Sequence, residues 1–210
     1  MIETDTNKPS IDWNLWLLWT FVTILGLLLG IVISMTVIIA ISKMANFHED
    51  TIANIILLPS IGFSVGIFQW LALRRLVSWA KMWIWVTAAG WMIGFPLAFS
   101  LYNWLTSIFG IVFTDTWEKA IQVTLIAISI GVIQWLLLRR HISRSGWWIL
   151  ANVIGWNAAS LLVGAGAMVS VMESIPMGIS VGAVTGLALT WLLQHSPADP
   201  DTTILETSTT

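Results

Sequence analysis

One stretch of this chain is written twice. Gly66-Ile67-Phe68-Gln69-Trp70-Leu71-Ala72-Leu73-Arg74-Arg75 is followed by Trp83, Gly90 and Trp91. Sixty-five residues on (Gln69 to Gln134), Gly131-Val132-Ile133-Gln134-Trp135-Leu136-Leu137-Leu138-Arg139-Arg140 is followed by Trp148, Gly155 and Trp156. The offset stays constant across the stretch. A repeat constrains the fold because each copy must reach the same local solution, and copies that cannot bury an apolar face alone must bury it against each other.

The surroundings decide what solvent the copies fold in. The chain is 57% hydrophobic and 10% charged over 210 residues, with a mean hydropathy of +0.86. A soluble domain carries about 25% charged residues. Here the charges fall in short clusters between apolar runs of roughly 20 residues or more, the length that crosses a bilayer core of about 30 Å. The expected class is therefore an integral membrane protein. A net charge of −2 gives no reason to expect nucleic acid. The absence of cysteine removes disulfides, iron–sulfur ligation and a lipoprotein anchor. The first apolar run is too long for a signal-peptide core and lacks a small-residue cleavage site, so it reads as a retained transmembrane helix.

Six spans are expected, over about 15–41, 52–73, 82–105, 119–138, 147–172 and 175–193. Residues 1–14 form a tail before them and 196–210 a polar, acidic, Thr-rich tail after them, which reads as disordered. With six spans, Lys8, Arg74, Arg75, Lys81, Arg139, Arg140 and Arg144 share one side, against Lys43 and Lys119 on the other. The positive-inside rule then places both termini and both Arg-Arg loops in the cytoplasm, in a bacterial inner (plasma) or internal membrane. Eleven of the 15 tryptophans (13, 16, 19, 70, 79, 83, 85, 135, 147, 148 and 191) map near the cytoplasmic ends of spans, as an interfacial belt would. Trp104 and Trp117 mark the outer interface. Trp91 and Trp156 lie about 13 Å into their helices by helical rise, where each indole N–H is expected to need a protein partner.

The repeat extends beyond its two clear copies. Trp19, Thr23, Gly26 and Gly30 in the first span match Trp83, Thr87, Gly90 and Gly94 in the third and Trp148, Asn152, Gly155 and Ala159 in the fifth. Even-numbered spans carry Gly62 and Gly66, Ala127 and Gly131, and Gly178, Gly182 and Gly186. The expected architecture is all-α: a polytopic six-helix transmembrane bundle of three parallel two-helix repeats, about 15–75, 82–140 and 147–195, around a pseudo-rotation axis along the membrane normal. The third copy is degenerate, with Thr185, Gly186, Thr190 and Trp191 in place of Gln, Trp, Arg and Arg. Small residues four apart let helix backbones approach closely where lipid supplies little hydrophobic drive. Pro59, Pro96 and Pro176 kink or begin their helices, as bundles tolerate.

Two polar sets stand at similar depth: Gln69, Gln134 and Thr185 from even spans, and Thr23, Thr87 and Asn152 from odd ones. Their first reading is interhelical hydrogen bonding; the second is a ligand site or water path using Gln69, Gln134, Thr87, Asn152, Trp91 and Trp156. Arg74, Arg75, Arg139 and Arg140 set topology and sit where anionic lipid head groups lie. His48, Glu49 and Asp50 lack metal-ligand spacing and read as a solvated loop, so neither metal nor cofactor is expected. Ionisable residues are missing from the middle of every span, against the usage of proton pumps and ion-coupled transporters. No H-E-x-x-H zinc motif or phosphate loop is present, and the chain reads as non-catalytic.

The G-x-x-Q-W-x-x-L-R-R…W…GW pattern, over about 62–94 and 127–159, resembles a motif of uncharacterised multispan membrane proteins of bacteria, particularly cyanobacteria. That resemblance implies location and architecture and transfers no functional site. Six spans in about 200 residues are also similar to the substrate-binding subunits of some vitamin transporters, a fold-level likeness that does not specify function. The function expected is a structural, lipid-contacting or accessory membrane subunit, with membrane lipids and other subunits or further copies of itself as partners. The alternative is a small transporter or substrate-binding membrane subunit for a neutral or anionic molecule.

Overall fold

The computed structural model describes residues 11–45, 49–110, 114–163 and 171–195. They form six helices and no strand: α1 (Trp13–Ala45), α2 (Glu49–Leu73), α3 (Ala80–Phe109), α4 (Asp115–Leu138), α5 (Trp147–Val163) and α6 (Val171–Gln194). Asp12 starts α1, its carboxylate accepting the N–H groups of Asn14 and Leu15 at 3.1 Å each, which satisfies two of the donors a helix N-terminus leaves over. Gly110 ends α3 at φ 59°, the left-handed cap that glycine adopts without a Cβ penalty. Pro59, Pro96 and Pro176 lie inside α2, α3 and α6.

Five helices are long and apolar enough to cross a membrane; α5, described over 17 residues, is apolar but shorter. The span expected over 147–172 is thus seen as helix to Val163, and residues 164–170 lie outside the described residues. So do both tails beyond residues 11 and 195, together with His48; the side chains of Glu49 and Asp50 are likewise not described.

Each helix packs against its neighbours in sequence, and α6 packs against α1, closing a ring. Among the described residues no two helices touch backbone to backbone across it. Side chains must fill the centre, and they do so in layers. At the end carrying the Arg-Arg turns, one buried cluster holds Trp19, Leu73, Trp83, Leu138, Trp148 and Leu189. At the far end a second holds Leu27, Ile31, Ile61, Val65, Trp91, Phe95, Ile126, Ile130 and Trp156. The periphery is also apolar, with Leu17, Phe21, Ile93, Leu97, Leu161 and Leu162 exposed. A bundle apolar on both its inner and outer faces is a membrane-type fold, here a polytopic helical one.

Candidate functional site

The polar residues of the two sets meet in a layer between the apolar clusters. Helical spacing puts them there. Positions 19, 23, 26 and 30 of α1 recur every three or four residues on one face, as do 83, 87, 90 and 94 of α3 and 148, 152, 155 and 159 of α5. That face points into the ring, so Trp, Thr or Asn, and two small residues occupy successive depths.

Gln69 binds three helices together. Its Nε2 donates to Thr23 Oγ1 on α1 at 3.1 Å, and its Oε1 accepts the Trp83 indole N–H from α3 at 2.9 Å. Thr23 Oγ1 in turn donates to the Trp19 carbonyl at 2.8 Å. The polarity of the relay follows from the donor inventory. Indole is a donor only, so the amide oxygen must face it, and the NH2 must then face the threonine. Gln134 repeats the arrangement one helix pair on: Nε2 to Thr87 Oγ1 at 3.2 Å, Oε1 from Trp148 Nε1 at 2.9 Å. All these side chains are buried.

Between α5, α6 and α1 the relay is different. Trp19 Nε1 donates to Thr185 Oγ1 at 3.0 Å, while the Thr185 hydroxyl turns back to the Val181 carbonyl. Asn152, at the place of Thr23 and Thr87, donates to the Trp148 carbonyl at 3.0 Å rather than to Thr185. The amide here sits on the odd-numbered helix and the hydroxyl on the even one.

The three donor tryptophans also pack on one another. Trp19, Trp83 and Trp148 form a triangle of edge-to-face contacts, with centroids 5.9, 6.1 and 5.4 Å apart, a geometry favoured by the ring quadrupole at about 0.5–1.5 kcal/mol per pair. The belt assignment fails for these rings: Trp19 and Trp83 are 0% exposed and Trp148 1%. They plug the centre of the ring instead of facing lipid head groups. Trp79 is buried as well, stacked on His141 at 5.1 Å. The signal for the plug was present in the sequence: each of the three shares its helical face with the small packing residues. Trp13, Trp85 and Trp147 are exposed, as belt residues would be.

Above the tryptophan triangle lies a chamber of about 30 Å³. Its wall brings together Gln69, Gln134 and Thr185, then Thr23, Thr87 and Asn152, with Leu27, Trp91 and Trp156 over them. All six polar or aromatic candidates from the sequence, Gln69, Gln134, Thr87, Asn152, Trp91 and Trp156, therefore share one enclosure. Every residue of its wall is buried. Trp91 and Trp156 touch edge to face at 5.5 Å, and Trp91 stacks on Phe95 at 5.1 Å. The protein acceptor expected for each of their N–H groups is not found among the described residues.

The arginines are elsewhere. Arg74 lies 5.7 Å from the Trp70 ring centre and Arg139 5.1 Å from that of Trp135, two matching cation–π contacts at the outer rim of the ring. Arg75 and Arg140 are exposed beside them. No group of three or more potential metal ligands occurs among the described residues.

No family model, no curated protein and no solved structure matches the chain.

Proposed function

We propose that this chain is a non-catalytic structural or accessory subunit of a bacterial inner or internal membrane, in contact with anionic lipid, built as three parallel hairpins about a pseudo-threefold axis. One observation carries the reading. Gln69, Gln134, Thr23, Thr87 and Thr185 take part in hydrogen bonds that tie helices together, and the chamber left among them has room for only about two water molecules, each needing roughly 10–15 Å³. Small-molecule sites usually occupy about 300–1,000 Å³. The Arg-Arg turns face the cytoplasm on the positive-inside rule, with both termini on the same side. There the guanidiniums of Arg74 and Arg139, held over Trp70 and Trp135, retain free N–H groups for lipid phosphates, with Arg75 and Arg140 adding charge. Its partners are membrane lipids and other membrane subunits or further copies of the chain, with no role for nucleic acid.

The transporter reading has one observation in its favour: Gln69, Gln134, Thr87 and Asn152 all face the same central chamber. Flux measurements separate the two. Proteoliposomes carrying the chain should pass small neutral and anionic solutes no faster than empty vesicles. A flux that disappears in Gln69→Leu and Gln134→Leu variants would establish transport and overturn the accessory role. Native mass spectrometry should show anionic lipid retained on the wild type and reduced when Arg74, Arg75, Arg139 and Arg140 are changed to Gln. A reporter fused after Thr210 should be active only in the cytoplasm.

A further inference from the structure

We propose that the central chamber is a permanent hydration site, holding about two water molecules anchored on Asn152 Oδ1. This inference holds whether the chain is an accessory subunit or a transporter.

Hydrogen-bond accounting leads to it. In the two complete relays the amide oxygen is occupied by an indole N–H. Asn152 spends its Nδ2 on the Trp148 carbonyl, and its Oδ1 accepts no hydrogen bond from the described residues. Asn152 is 3% exposed and lies in the chamber wall. Yet Ser42 Oγ is the only fully sealed, unpartnered polar side-chain atom among the described residues. Asn152 Oδ1 therefore keeps accessible surface, which for so deeply buried a side chain in this wall is surface toward the chamber. Trp91, Trp156, Gln69 and Gln134 also line the chamber, and each carries an N–H beyond the hydrogen bonds described above. A buried amide oxygen without a partner is costly in an apolar interior. Internal waters make about three hydrogen bonds each and settle where such polar groups converge in enough space. A volume of about 30 Å³ accommodates two.

The exchange of residue types explains why the site is here. Positions 152 and 185 hold Asn and Thr where the two other units hold Thr and Gln. The amide thus starts from the odd helix, bonds its own backbone, and leaves its oxygen open. Restoring the other order should close the relay, so that Asn152→Thr together with Thr185→Gln removes the anchor.

The test is a structure of the full chain in lipidic mesophase at a resolution that shows water, with and without xenon pressure. The wild type should show ordered density at hydrogen-bond distance from Asn152 Oδ1 and exclude xenon, since xenon occupies dry apolar cavities. The double variant, if folded, should lose at least the peak beside residue 152. An empty wild-type chamber, or one filled by xenon, overturns the proposal. So does a folded double variant that keeps both peaks. Should the double variant fail to fold, the wild-type result decides alone.

Discussion

The ring has two halves that are held differently. From α6 through α1 and α2 to α3, helix backbones are pressed together. A Cβ added to Gly178 would lie 2.7 Å from Ile24 Cα, one on Gly26 2.7 Å from Val65 Cα, and one on Gly66 2.9 Å from the Ile84 carbonyl oxygen. From α3 through α4 and α5 to α6 the fit is looser. The nearest atoms to such a Cβ are at 3.4 Å for Gly90, 3.3 Å for Gly94 and 3.2 Å for Gly131 and Gly155. In that half, hydrogen bonds span interfaces where glycine contact is weaker. Thr124 Oγ1 on α4 donates to Asn157 Oδ1 on α5 at 3.1 Å, and Ser180 Oγ on α6 donates to the Gly155 carbonyl at 3.0 Å. Van der Waals contact and interhelical hydrogen bonds are the two main attractions available between helices in lipid. Hydrogen bonds span the pressed half as well, from Trp16 Nε1 to the Ala183 carbonyl at 2.9 Å, from Trp19 to Thr185 and from Gln69 and Trp83 in their relay, so the two sides differ in how closely their backbones approach rather than in how many hydrogen bonds cross them.

The sharpest way to break this contrast is to add a methyl group on the tight side. Gly178→Ala places a carbon against backbone that can move only by separating α6 from α1. Overpacking of this kind costs about 1–3 kcal/mol, against which alanine recovers about 1 kcal/mol of helix propensity. Reversible unfolding in mixed micelles, followed by tryptophan fluorescence, should show a net loss, and a variant as stable as wild type would refute the close approach. The next effect belongs to both halves. Gln69→Leu and Gln134→Leu each leave an indole N–H buried without an acceptor, at about 1–3 kcal/mol. Because Gln69 lies among pressed backbones and Gln134 at looser interfaces, Gln134→Leu should be the milder of the two. The opposite order would show that the looser half depends on its relay more than its neighbours suggest.

Much of this was legible before the fold. Apolar run length located six helices, and the spacing Trp-x3-Thr-x2-Gly in α1 and α3, with Asn152 in place of Thr in α5, marks the face of each that turns inward. What misled was composition. Tryptophan near a cluster of arginines has two stable places in a membrane protein, the interface and a hydrogen-bonded interior, and distance along the chain does not distinguish them. Trp147 and Trp148 are adjacent, yet one is exposed and the other plugs the ring; only the helical face separates them. Asn152 illustrates a second limit. Its place in the polar set follows from the repeat, but its choice of its own backbone over Thr185 depends on geometry among α5, α6 and α1 that spacing along one helix does not contain. The difference between tight and loose interfaces was equally hidden, because Gly26 and Gly90 are the same residue at the same repeat position.

The smaller effects lie on the loose side. Thr124→Val removes the hydroxyl bonded to Asn157 with little change of shape. Measured interhelical hydrogen bonds in membranes average about 0.6 kcal/mol, so a destabilisation of that order is expected in the same unfolding assay, and the identical change in an Asn157→Leu background should cost almost nothing. A full loss persisting in that background would mean the threonine acts through something other than its partner. Gly90→Ala should matter least. Its added methyl meets Ile130 Cγ2 at 3.4 Å, the edge of ordinary contact and the end of a side chain that can give way. The helix-propensity gain of about 1 kcal/mol then balances or exceeds the steric cost, and stability should change little or rise. Set beside Gly178→Ala, this pair uses the same chemical change at equally buried glycines, so a difference in sign between them isolates backbone proximity as the cause. Equal losses at both positions would mean that the two halves of the ring are packed alike.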